Sequence, residues 1–186
     1  MKRIFAAVKT EPGGDFIRSY LELRSRLVTE PIKWVEEQNI HITIKFFGET
    51  EESLIPAISE TLGRIAKDCP VMTFKLKGIG LFGSRYQPRV VWAGIDPPDP
   101  LASLMQTTQQ EMEKHGFKTD RQNIVPHLTL GRIKFIKDKL LFQDVIDSYR
   151  EIHSDPIKIK ECILYESILL REGPRYVSLK KFPFGK

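Results

Sequence analysis

The sequence predicts an α+β fold with antiparallel sheet, arranged as two similar halves. Three observations lead there. Segments of strand period and helix period are interspersed along the chain, several strands are joined by hairpin-type turns, and a four-residue pattern, His-aliphatic-Thr-aliphatic, occurs twice about half the chain apart. A doubly wound parallel sheet would instead require a helical crossover between successive strands.

Taken in order, residues 2–9 predict a strand around Ile4, Phe5, Ala7 and Val8. The turn-forming Glu11-Pro12-Gly13-Gly14 leads into a helix in which Phe16, Tyr20, Leu23 and Leu27 recur at spacings of three and four. Residues 40–47 alternate, with Ile40, Ile42, Ile44 and Phe46 on one side and His41, Thr43, Lys45 and Phe47 on the other. Gly48 is expected to end that strand. A helix follows with Leu54, Ile58, Leu62 and Ile65 as its inner stripe; Pro56 fits only in its first turn, which favours Ser53 as N-cap. Residues 71–82 and 88–95 predict two strands around Gly83-Ser84-Arg85-Tyr86-Gln87, and the proline-dense segment 96–100 predicts a linker between halves of about 1–95 and 101–186 within one bilobal domain. A helix over about 101–115 turns Leu101, Leu104, Met105, Thr108 and Met112 inward, with Gly116 as its C′ residue. A strand over 127–135, a helix over 138–149, and a closing hairpin of 157–170 and 175–182 complete the reading.

With 186 residues, 41% hydrophobic and 28% charged, the chain is long enough for one sizeable core or two closely packed lobes. Disordered and fibrous classes are excluded. No apolar run approaches the roughly 18 residues of a membrane span, and the N-terminus lacks a signal-type apolar region, so the expected location is the cytoplasm. The net charge of +5 is compatible with a phosphate-bearing partner without demanding one. Cys69 and Cys162 lie far apart with no metal-ligand spacing, which predicts reduced core or loop thiols.

The chemistry sits in the repeated pattern. His41-Ile42-Thr43-Ile44 and His127-Leu128-Thr129-Leu130 each open a predicted strand. Residues i and i+2 of a strand share a face, so each motif aims an imidazole and a hydroxyl one way and two aliphatic side chains the other. If the halves pack about a pseudo-two-fold axis, the two pairs oppose each other across a cleft. Two imidazoles near pKa 6.5 can divide general acid and general base duties at neutral pH, and two threonine hydroxyls can donate to the non-bridging oxygens of a phosphate between them. In-line displacement at phosphorus needs an activated water on one side and a protonated leaving oxygen on the other. Lys45 shares strand parity with His41 and Thr43, so its ammonium is a candidate phosphate contact, against a plain solvated lysine. Arg132 falls on the opposite face from His127 unless Gly131 marks a bulge. Trp34, Phe47 and Tyr86 are weighed as base-stacking groups against core or rim packing; His115 reads as a helix-end residue complementing the dipole, and His153 as a loop residue.

These motifs, with the contexts WVEEQNIHITIKFFGE and VPHLTLGRI, closely resemble the 2H phosphoesterase superfamily and, within it, the RNA 2′,3′-cyclic phosphodiesterases also called 2′-5′ RNA ligases. The likeness runs from MKRIFAAV through PRVVWAGI to LYES and PRYVSLKKFPF. It implies a bilobal α+β fold with helices outside each sheet and the active site between the lobes. It also implies opening of an RNA terminal 2′,3′-cyclic phosphate to a 2′-phosphate, with neither metal nor cofactor. His41 would protonate the 3′ leaving oxygen, His127 would activate water, and Thr43 and Thr129 would hold the phosphate; the pseudo-symmetry leaves the two histidine roles exchangeable. RNA ends carrying a cyclic phosphate are the implied partner, and nothing requires more than a monomer. The same groups would catalyse 2′-5′ ligation in reverse. A non-catalytic RNA-binding module and a metallohydrolase are the other readings. The former does not need two histidines, and the latter would have one ligand per strand with no carboxylate beside it.

Overall fold

The computed structural model describes residues 1–84, 86–118 and 125–185. Four helices and nine strands are present among them: β1 (Lys2–Lys9), α1 (Gly14–Arg26), β2 (Ile32–Trp34), β3 (His41–Thr50), α2 (Ile55–Asp68), β4 (Met72–Ser84), β5 (Gln87–Asp96), α3 (Asp99–Glu113), β6 (Leu128–Ile133), α4 (Lys139–Ser148), β7 (Ile157–Ile159), β8 (Glu161–Leu169) and β9 (Pro174–Pro183). They form two antiparallel sheets, ordered β3-β1-β8-β9 and β2-β6-β5-β4-β7. The fold is α+β with two lobes, one per sheet.

The sheets interleave the chain. β4 and β5 join the second sheet, whereas β8 and β9 return to complete the first. The two sheets nevertheless share a plan: the strand that carries or follows a histidine motif lies beside one partner (β3 on β1, β6 on β5) and two further strands continue outward. In the second sheet β2 adds an edge beyond β6.

Helical periodicity agrees with the observed packing. Phe16, Tyr20, Leu23 and Leu27 are all buried, as are Ile58, Leu62 and Ile65 of α2 and Leu101, Leu104, Met105, Thr108 and Met112 of α3. Helix α2 packs against β8 and β9, α4 against β4, and α3 against α2 and β3. Gly116 follows α3 with φ +84°, and the Phe117 amide donates back to Met112 O, the C-terminal closure that its position predicts. Two expectations for α2 are corrected. Ser53 is not its cap but lies in a 3₁₀ turn, Glu52–Leu54, that leads into a helix start with no side-chain cap; Leu54 stays outside the core.

The clean alternation expected over 40–47 also fails after Thr43, and Gly48 does not end the strand. β3 is longer and carries two bulges against β1. Ala7 faces Thr43 but Ala6 faces Lys45, and Phe5 faces Phe46 but Ile4 faces Gly48. Each extra residue reverses the phase of the strand beyond it, so Phe46 is exposed and Phe47 is buried against Phe117, the reverse of parity. Segment 96–100 is the short connection from β5 into α3, whose first turn holds Asp99 and Pro100. Both cysteines are free and buried, and desolvation pushes the Cys69 and Cys162 thiols up to about 11 and about 12, far from the reactive range. Among the described residues no helix is long and apolar enough to cross a membrane.

Candidate active site

β1 has two unlike faces. Ile4, Ala6 and Val8 enter the main core, while Phe5 turns to the other side, where its ring meets His41 at 5.0 Å and Tyr165 at 5.3 Å. Tyr176 of β9 closes the cluster, edge-on to His41 at 5.2 Å. On the second sheet Phe82 of β4 stands edge-on to His127 at 4.7 Å and stacks on Trp92 of β5 at 4.9 Å. Each histidine is therefore walled by aromatics from neighbouring strands, which fix the imidazole plane by packing. The indole of Trp92 lies over Gly80, where an added Cβ would meet the ring at 2.4 Å, so glycine is required opposite it.

The backbone repeats the same device at both sites. His41 Nδ1 lies 2.7 Å from Asn39 O, and His127 Nδ1 lies 2.8 Å from Val125 O, in each case the carbonyl two residues upstream. A carbonyl only accepts, so Nδ1 carries the proton at both histidines, and in the neutral ring Nε2 holds the lone pair. Thr43 Oγ1 lies 3.1 Å from His41 Nε2 and donates to it in that state. Asn39 is itself held by donation from Nδ2 to Pro174 O at the start of β9, which ties the His41 carbonyl partner to the β8–β9 hairpin.

The bulges decide which cations reach the site. One extra residue, Ile44, follows Thr43, and one extra residue, Leu130, follows Thr129: Trp92 faces Thr129, but Val91 faces Gly131 and Val90 faces Arg132. The two strands thus break at equivalent positions. Cross-strand partners share a face, so Lys45 goes with core-facing Ala6, whereas Arg132 goes with Val90 and Trp92 on the histidine side. Lys45 is buried, and its ammonium donates to Lys118 O at 2.5 Å; the parity that aimed it along with His41 and Thr43 does not survive the bulge. Arg132 does what the Gly131 bulge allowed: its charge is felt at His41, His127 and Tyr176 together. The position equivalent to Arg132 in the first lobe is Phe46, over whose ring the Arg3 guanidinium lies at 4.8 Å. Gly131 has its own steric reason, since a Cβ there would sit 2.8 Å from Ile32 Cγ2 and Trp34 Cε3.

Tyr20 couples the two motif-bearing segments. Its buried hydroxyl lies 2.6 Å from Val35 O, upstream of His41, and 3.0 Å from Leu130 O, beside Thr129. The Val35 amide also donates to Leu130 O at 2.8 Å. Both histidines are held below their ordinary value of 6.5, first by burial and then by the Arg132 charge; His127 adds to the effect on His41. Protonating one imidazole therefore opposes protonating the other, and an anion between them would reverse that opposition. A groove of about 830 Å³ opens beside Arg132 and Tyr176, between β2 and the β8–β9 hairpin.

Of the other residues weighed, Trp34 packs edge-on to Tyr20 and lines that groove, Phe47 is core, and Tyr86 is exposed on the β4–β5 turn. His115 Nε2, just beyond α3, pairs with Thr61 Oγ1 of α2, and the His153 backbone pairs with that of Lys77 in an isolated antiparallel bridge. The aromatic walls and the Asn39 and Val125 carbonyls carry no signal in single-sequence periodicity. Among the described residues no group of three or more His, Cys, Asp or Glu side chains is placed to hold a metal ion.

Comparison with known proteins places the chain in a family and a fold. The family described as LigT like phosphoesterase matches the chain twice, at residues 11–92 and 95–176. A Thermotoga maritima protein named RNA 2′,3′-cyclic phosphodiesterase is 37% identical over 153 residues, covering 81% of this chain and 79% of its own. A Methanothermobacter thermautotrophicus protein of the same name is 28% identical over 97% of both chains. In fold, the chain is similar to TT0787 of Thermus thermophilus (TM-score 0.78, 22% identity, 98% of each chain) and to E. coli LigT complexed with 3′-AMP (TM-score 0.75, 24% identity, 100% and 99%). With its two matched segments and a relative of this identity over most of its length, the chain belongs to the LigT-like phosphoesterase family.

Proposed function

We propose that this protein opens the terminal 2′,3′-cyclic phosphate of RNA to a 2′-phosphate by paired histidine acid–base catalysis, without a metal or cofactor. The observation that carries the reading is the duplicated Nδ1 hydrogen bond, which leaves both Nε2 atoms as the working nitrogens. His127 Nε2 takes a proton from water as the water oxygen attacks phosphorus. The bond from phosphorus to the 3′ oxygen breaks, and protonated His41 delivers its Nε2 proton to that oxygen. Once His41 is protonated its Nε2 no longer accepts from Thr43, so the Thr43 hydroxyl is released to donate to a phosphate oxygen; the Thr129 hydroxyl is the donor from the other strand. Arg132 stabilises the negative charge on the phosphoryl oxygens. The names of the curated relatives support the substrate class. The opposite assignment of acid and base exchanges only the direction of approach.

The test is incubation of a short RNA ending in a 2′,3′-cyclic phosphate, in EDTA, with products resolved as 2′- or 3′-phosphate. The expected result is wild-type conversion to the 2′-phosphate and a fall of about 10²-fold or more in His41→Ala and in His127→Ala. Binding of the RNA with the cyclic end left intact would replace the enzyme with a binding module. Activity lost in EDTA and restored by a divalent ion would replace the mechanism with a metal-dependent one.

A further inference from the structure

Resting on that reading of the site, we infer that the β4–β5 turn and the start of α4 form a second RNA contact, which holds single-stranded nucleotides leading up to the cyclic end. Two adjoining hollows of about 240 and 210 Å³ lie there, sharing Tyr86, Pro88, Ile136 and Lys139. Their walls include three cations, Arg89, Lys134 and Lys139, and no carboxylate. None of the three is in a described ion pair, whereas Lys2, Arg64 and Lys114 elsewhere on the surface are each matched to a glutamate. Asp138, next to Lys139 in sequence, is turned to the helix it caps, accepting from the Leu141 amide.

Beside these cations stand two aromatic rings that no core claims. Tyr86 is 80% exposed and Phe135 is 59% exposed. Exposed rings set among cations without acidic partners are what single-stranded RNA uses: bases stack on the rings, and phosphates meet the cations regardless of sequence. A protein partner would call for complementary acids and a continuous apolar face, and the basic rim argues for the polyanion.

The register connects this surface to the site. Lys134 lies two residues beyond Arg132, and Pro88 two residues before Val90, the strand partner of Arg132. At about 3.3 Å per residue the surface begins roughly 7 Å past Arg132. The same hairpin carries Phe82, which touches His127.

The experiment compares kcat/KM for a cyclic-phosphate-ended single-stranded RNA with that for a 2′,3′-cyclic mononucleotide, in wild type, Tyr86→Ala, Lys139→Glu and the double variant. The double variant is expected to lose about tenfold or more on the RNA and to keep its rate on the mononucleotide. Equal effects on both substrates, or no effect on either, would overturn the inference. Anisotropy of a labelled RNA ending in a 2′-phosphate keeps the two readings apart. If wild type hydrolyses neither substrate, weaker RNA binding by the double variant still supports the surface, and unchanged binding refutes it.

Discussion

Tyr20→Phe removes one oxygen and leaves a ring that is 1% exposed in its packing. That oxygen lies 2.6 Å from Val35 O and 3.0 Å from Leu130 O. Leu130 O keeps a donor, the Val35 amide, whereas Val35 O loses the one described for it. An unmatched buried acceptor costs about 1–3 kcal/mol. For a chain of this size that corresponds to a fall in Tm of roughly 2–4 °C per kcal/mol. The same hydroxyl spans the segment leading to His41 and the strand carrying Thr129. Its loss is therefore expected to lower kcat by more than it raises KM, because misplacement of one catalytic face against the other by about 1 Å is worth up to about 10² in rate. Calorimetry and steady-state hydrolysis of the cyclic-ended RNA measure the two effects. An unchanged Tm together with unchanged kcat would refute the coupling. A fall in Tm with kcat intact would leave Tyr20 a purely structural residue.

The site yields three further expected outcomes. Arg132 lowers both histidines, so Arg132→Gln should move both limbs of the kcat/KM pH profile upward as well as slowing the reaction; limbs that stay in place would remove Arg132 from the electrostatics of the site. Both imidazoles are depressed in the folded chain, so the unfolded chain binds more protons below its own pKa near 6.5. Their contribution to stability should be full above that pH and lost as pH falls through the folded values, and urea titrations of His41→Gln/His127→Gln should show a flatter acid decline than wild type. Gly131→Ala should cost about 1–3 kcal/mol through its clash with Ile32 and Trp34, read as a lower urea midpoint; a variant as stable as wild type would mean that β2 yields freely.

The helices and the histidine strands are legible in the sequence because helical stripes and the His-x-Thr step depend on local period alone. Lys45 and Phe46 defeat that reading because the Ile44 bulge carries no glycine to announce it, whereas Gly131 advertises its counterpart and so keeps Arg132 in play. The three-residue β2 gives no periodic signal. The single strand expected over 157–170 is two: the chain crosses from the second sheet to the first at Lys160, where no glycine, proline or other turn residue marks the break. The aromatic walls around each histidine come from strands distant in sequence, so only the assembled sheets bring Phe5, Tyr165 and Tyr176 to His41, and Phe82 and Trp92 to His127.

The central claim, that two imidazoles share the acid and base roles, is tested most directly by the pH dependence of kcat/KM on the cyclic-ended RNA for wild type and each histidine variant. The account predicts a bell in wild type with its optimum below pH 6.5, since burial and Arg132 lower both groups, and a single surviving limb in each of His41→Ala and His127→Ala. A bell with both limbs intact in either variant would contradict it.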